Sequence, residues 1–275
     1  MFPRWVPISL PRKWAHDIMH FGLKSHSAGG NTIINIAPVV ATRRAHSPSI
    51  SHLALLVKAL ALVSQRRSEL RLAYMPLPWS HFYLHPNAVA SVVVEREWRG
   101  EKAIFVDQVQ RPEEKSLADI DREVRGMKQR PVESVGGFRR MIRITRLPLP
   151  IRRLMWHLAY SCSGRMRAKY LGTFSINSVV ARRTEFMQSV TPITLSVIYG
   201  VVEPNGDMPL QFLVDHRVID GMATRRVALD LQSVLNNEIV MELRQGPRAA
   251  GVAGQPSETA VPTGSREPIQ DPIRA

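Results

Sequence analysis

Cysteine is nearly absent from this chain: Cys162 is the only one in 275 residues. A lone thiol builds no internal disulfide framework and suits a reducing compartment. It also leaves none of the Cys/His spacings that zinc needs. His16 and His20 fall four apart on an expected helix but lack a third ligand, so no metal site is expected. Long apolar runs are missing too. The longest, Leu53 to Val63, is interrupted by Lys58 and is too short to span a bilayer. The opening Met1-Phe2-Pro3-Arg4-Trp5 has no apolar core of the signal-peptide kind. A soluble, cytoplasmic protein is the expectation. A further absence is local: Ser134 to Thr184 contains no acidic residue, in a chain whose formal net charge is +14. That balance favours anionic partners without choosing among nucleic acid, acidic lipid, acidic protein or a phosphate-bearing cofactor.

What is present reads as one α/β domain followed by a tail. Pro7 to Ala15 leads into a helix of about three turns, which Gly22 is placed to close. Asn31 to Val40 is apolar and β-branched, as a strand should be. Ser49 or Ser51 then caps a helix with Leu53, Leu56, Val57 and Leu60 on one face. Ala88 to Val94 and Ala103 to Val106 read as strands joined around Gly100. Ser116 and Asp119 form a capping-box pattern before a helix that buries Leu117, Ile120, Val124 and Met127. Asn205-Gly206 signals a two-residue turn between strands. From Gln245 to Ala275 the composition turns to Gly, Pro, Ser, Thr and Ala without periodicity, and a disordered tail is expected. No internal repeats occur.

One stretch carries chemistry: Asp215-His216-Arg217-Val218-Ile219-Asp220-Gly221. It ends an apolar run, Leu210 to Val214, that reads as a buried strand. A helix follows, with Val227, Leu231, Val234 and Leu235 on one face. A histidine at such a turn is held rigidly, as a general base must be, although most lone histidines at turns only satisfy a hydrogen bond. H-x-x-x-D-G, inside D-H-R-V-I-D-G, resembles the active-site signature of the 2-oxo-acid dehydrogenase acyltransferase catalytic domain, a family that shares its fold and mechanism with chloramphenicol acetyltransferase. Other segments carry the same resemblance. Arg12 matches an R-k-x-x-A segment, Lys115-Ser116-Leu117 matches k-S-L, and Leu171 to Ser178 is similar to G-G-T-F-T-I-S-N.

The resemblance covers Pro7 to Arg244 and implies a two-layer, mixed-sheet, chloramphenicol acetyltransferase-like α/β sandwich. It implies a homotrimer with active sites between subunits, reached by coenzyme A from one side and a lipoyl arm from the other. His216 would be the general base of thioester exchange, its Nδ1 proton held by its own backbone carbonyl. Asp220 would hold the turn by pairing with Arg12. Asn177 stands where the family has a serine hydroxyl facing the oxyanion, and an asparagine amide also donates. Glu95 to Gly100 replaces an apolar, proline-containing strand of the family, which bears on acyl specificity. No lipoyl-bearing D-K-A occurs in the chain. The acyl group is therefore expected on a separate lipoyl-carrier protein, or as acyl-coenzyme A with another acceptor.

The acid-free stretch has three readings. It is a solvated face, or a phosphate grip for coenzyme A through Arg139, Arg140, Arg152 and Arg153, or a basic amphipathic segment on anionic membrane with Trp156 and the leucines in the interface. Two other classes of function remain beside the enzyme: a catalytically idle trimeric scaffold, and a nucleic-acid binder. No helix-turn-helix, zinc finger or RNP motif supports the last, and no nucleic acid is expected.

Overall fold

The structure is a computed structural model, which describes residues 7–45, 49–178 and 190–245. Of the tail expected from Gln245 to Ala275, Gln245 ends a helix, and residues 246 onward lie outside the described residues. Ser9 caps α1 (Leu10–Gly22), its hydroxyl accepting from the Arg12 amide. Gly22 lies within the last turn rather than beyond it, and its service is to packing: a Cβ there would sit 3.0 Å from Val190. The first strand, β1 (Ser27–Asn35), begins and ends earlier than the β-branched pattern suggests. Asn35 stops it by accepting the Ala37 amide on its own side chain, and the chain turns into α2 (Ala37–Ala45). Residues expected to extend the strand are therefore helical: a local side-chain turn outweighs strand propensity.

Capped by Ser51, α3 (His52–Arg66) is buried almost all round, including Lys58, whose ammonium donates to the carbonyls of Glu113 and Lys115. A hairpin of β2 (Leu72–Met75) and β3 (His81–Leu84) stands as a separate two-stranded sheet. Next come β4 (Val89–Trp98) and β5 (Glu101–Gln110), longer than their apolar cores, joined at Arg99 and Gly100, both with positive φ. Ser116 caps α4 (Leu117–Gln129), its hydroxyl accepting the Asp119 amide and donating to the Asp119 carboxylate, so the reciprocal bond of the expected capping box goes to the hydroxyl rather than to the Ser116 amide. The acid-free stretch folds into α5 (Gly136–Thr145), α6 (Leu149–His157), a π-helical turn Leu158–Cys162, and α7 (Gly164–Leu171). The last strands are β6 (Phe174–Ser178), β7 (Leu195–Tyr199) and β8 (Asp207–Asp215). Seven residues separate β7 from β8, so Asn205-Gly206 is only the last bend of a longer loop. Then α8 (Gly221–Val234) runs through a second π-helical turn, Leu235–Ile239, into α9 (Val240–Gln245).

Six strands form one mixed sheet in the order β1-β8-β7-β6-β4-β5. The inner pairs β7–β6 and β6–β4 are parallel, and the outer pairs are antiparallel. One face is mainly apolar: Ala90, Val92, Phe174, Ile176, Val197 and Phe212 join the core, which α3, α4 and α8 cover, with Asp107 opposite Val92 as a polar exception. Strand alternation sends the intervening residues to the other face. The register there lines up Ser91, Ser175 and Ser196 on three adjacent strands, with Val93, Asn177 and Ile198 in the next row. That face is only partly covered, by α1 and α5 near β5.

Candidate active site

Between α1 and this second face lies a cavity of about 700 Å³. Ile18, Met19, Leu23, Val106 and Ile193 line its apolar wall, and Arg12, Glu95 and Lys102 lie at its charged end. Its floor is the serine row and Asn177. Ser175 and Ser196 share a hydrogen bond of 2.7 Å, and Ser91 donates to the Leu171 carbonyl at 2.6 Å. Gly172 makes that approach feasible, since a Cβ there would come within 2.4 Å of the Ser91 hydroxyl and its φ of +79° suits glycine. Asn177 is half-buried in the adjoining row.

His216 follows β8, and its imidazole is exposed while the turn beneath it is tightly built. Its amide donates to the His26 carbonyl at 2.9 Å. Asp215 before it is fully buried, and Arg217 after it folds back to fork that carboxylate, Nε to Oδ1 at 2.8 Å and Nη2 to Oδ2 at 2.6 Å. The Arg217 guanidinium also lies 4.2 Å from the Tyr74 ring centre and reaches the Tyr160 hydroxyl at 3.4 Å. Burial alone would push the Asp215 carboxyl up, but the Arg217 fork outweighs it and holds the group below the usual carboxylate range. Arg217 is held above its ordinary value, because the bonds to Asp215 and Tyr160 exceed the cost of its burial. A second guanidinium braces the cluster. Arg167 is buried, stacks 4.6 Å from the Tyr160 ring, and donates to the carbonyls of Tyr74 and Pro192 at 2.7 and 2.8 Å.

The other expected site residues are scattered. Asp220 is the N-cap of α8, accepting the Ala223 amide at 2.7 Å, and Arg12 pairs instead with Glu101 at 3.4 Å. The implied Arg12–Asp220 pair is thus not formed within the chain, and the helix cap supplies the order at Asp220. Arg139 is exposed on α5, while Arg140 is half-buried and donates to the Lys169 carbonyl. Arg152 is corrected outright: it is buried and ion-paired with the fully buried Asp17, so it has no surface to offer a phosphate. Arg153 approaches the same carboxylate at 3.7 Å. Nor does one chain bring His216 to Asn177. Asn177 sits in register with Ile198 and then Gln211, and His216 lies five residues beyond Gln211. At about 3.3 Å per strand residue that is roughly 16 Å along the sheet, before counting the strands between.

Sequence reading missed the serine row and the Tyr74–Tyr160–Arg167 brace. Both depend on pairings far apart in the chain, and the only local hint was that the letters flanking His216 are opposite charges.

The fold is that of acyltransferases. A dihydrolipoamide acetyltransferase from Azotobacter vinelandii superposes with a TM-score of 0.63 at 15% identity, over 87% of this chain and 94% of that one. A probable dihydrolipoamide acetyltransferase from Listeria monocytogenes gives 0.60 at 16% identity, over 86% and 95%. A chloramphenicol acetyltransferase gives 0.51 at 10% identity, over 83% and 96%. No family model matches the sequence, and comparison with curated protein sequences gives no match. The two-layer, mixed-sheet architecture implied by the sequence resemblance is the one the chain adopts.

Proposed function

We propose that this protein is an acyltransferase that moves an acyl group between coenzyme A and a thiol or other acceptor, with His216 as general base. The observation that carries this reading is the exposed imidazole on a turn clamped by the buried Asp215–Arg217 fork, in a fold used by acyltransferases. His216 takes the proton from the attacking thiol, because a thiol is a poor nucleophile until deprotonated. The new carbon–sulfur bond forms at the thioester carbonyl. As the old one breaks, the leaving thiolate recovers the proton from the imidazolium. A lipoyl group enters only if another protein supplies it.

The roughly 16 Å along the sheet that separates His216 from Asn177 within a chain supports a homotrimer, in which Asn177 of one subunit faces His216 of the next. The cavity beside Asn177 then holds the acyl group or acceptor, and the Asn177 amide donates to the oxyanion. Phosphates of coenzyme A would meet exposed arginines such as Arg139 rather than Arg152.

Incubation with acetyl-, butyryl- and longer acyl-coenzyme A, following both thermal stabilisation and thiol release, tests the reading; no stabilisation and no release with any of them would end it. The oxyanion role has its own test. Asn177→Ala is expected to lower the transfer rate roughly 10²–10³-fold, whereas Asn177→Ser restores a hydroxyl and keeps most of it. Equal rates for wild type and Asn177→Ala would assign the oxyanion to another donor. An idle scaffold is the second reading, and thiol release separates the two.

A further inference from the structure

Several large apolar side chains are exposed along α6 and on the β2–β3 hairpin, whose β2 strand packs against the π-helical turn that continues α6. Ile151, Leu154 and Leu158 follow one another at helical spacings of three and four and are all exposed, Leu154 by 59%. Continuing that face by one turn reaches Ser161, whose carbonyl accepts the Leu77 amide of the hairpin loop at 3.2 Å. That loop carries Trp79, 72% exposed, with Phe82 exposed on the following strand. Water-exposed tryptophan, isoleucine and leucine side chains on two joined elements are costly unless something covers them.

Charge selects the cover. Residues 134–178 and 72–94 contain no Asp or Glu, so neither element contributes a carboxylate to this face. Exposed Arg139 and Arg143 lie on the helix before α6, Arg146 just past its end, and Arg165 and Lys169 on the helix after. The cations that burial consumes, Arg152 and Arg167, are not among these. An aliphatic stripe and an exposed tryptophan, with exposed cations in the chain segments on either side of the stripe and no carboxylate among them, have the chemistry of an interfacial membrane-binding surface. The side chains enter the acyl boundary, and the guanidinium groups meet lipid phosphates. We propose that this face docks the protein on an anionic bilayer surface, with Trp79, Ile151, Leu154 and Leu158 inserted. No described helix is long and apolar enough to cross the membrane, so the attachment is peripheral.

The full chain should co-sediment with phosphatidylcholine vesicles containing phosphatidylglycerol, much less with phosphatidylcholine alone, and less at high salt. Trp79→Glu and Leu154→Glu are expected to lower the partition coefficient about tenfold or more each, from the apolar area withheld from lipid. Trp79→Phe should keep binding but abolish quenching of tryptophan fluorescence by brominated lipid. Circular dichroism of each variant controls for folding, which these exposed positions should not disturb. Absence of binding to the anionic vesicles, or binding unaffected by both glutamates, would overturn the proposal. So would light scattering in which Leu154→Glu separates subunits while vesicle binding is unchanged, since the stripe would then be a contact between copies.

Discussion

Asp17→Ala is expected to destabilise the protein by about 3–5 kcal/mol, an effect large enough to threaten folding. Asp17 is fully buried on α1, and its carboxylate faces Arg152, which is 5% exposed on α6. Trp14 and Trp156 pack edge to face across the same joint, ring centres 5.0 Å apart. Removing the carboxylate leaves a buried guanidinium whose other contacts are the carbonyls of Thr145 and Leu147 at 3.5 and 3.3 Å, too long to replace a charge. Replacing both partners with apolar residues, Asp17→Leu with Arg152→Met, should recover much of the loss, because both desolvation costs disappear together. Urea denaturation of the two single variants and the double measures the coupling. If Asp17→Ala unfolds at the wild-type midpoint, the pair is not holding α6 to α1.

His216→Ala is expected to lower acyl transfer on the order of 10²–10⁴-fold, the usual cost of losing a general base. Because the imidazole is exposed and the fork beneath it is made by Asp215 and Arg217, the variant should melt with the wild type. A mixing experiment gives the sharper result. His216→Ala and Asn177→Ala subunits, each inactive alone, should regain about a quarter of wild-type activity after co-refolding, since a site shared between neighbours draws each intact residue half the time. Recovery indistinguishable from zero would place both residues' work within one chain, which the distance along the sheet argues against, whereas about half of wild-type activity in the mixture, with Asn177→Ala active alone, would remove Asn177 from the reaction.

Local patterns made the elements legible. Ser51, one of two candidate caps, and Ser116 announced two helices through their own hydroxyls, and the Asp215–Gly221 stretch announced the strand–turn–helix that presents His216. Asn35 shows where such reading fails: its side chain ended a strand that β-branched residues seemed to prolong. The arginines of the acid-free stretch failed for a different reason. Sequence gives their charge but not their partner, and Asp17, far upstream, claims Arg152. The serine row was beyond reach because Ser91, Ser175 and Ser196 become neighbours only through the order of the sheet.

The fork at Asp215 and Arg217 has a consequence for how activity responds to acidity. One partner is held below the ordinary carboxylate range and the other above the ordinary guanidinium value, so neither changes charge between about pH 5 and 8, where imidazoles do. The pedestal is electrically silent across that window. A rate that rises or falls there reports groups at the reacting surface, with no contribution from the turn letting go.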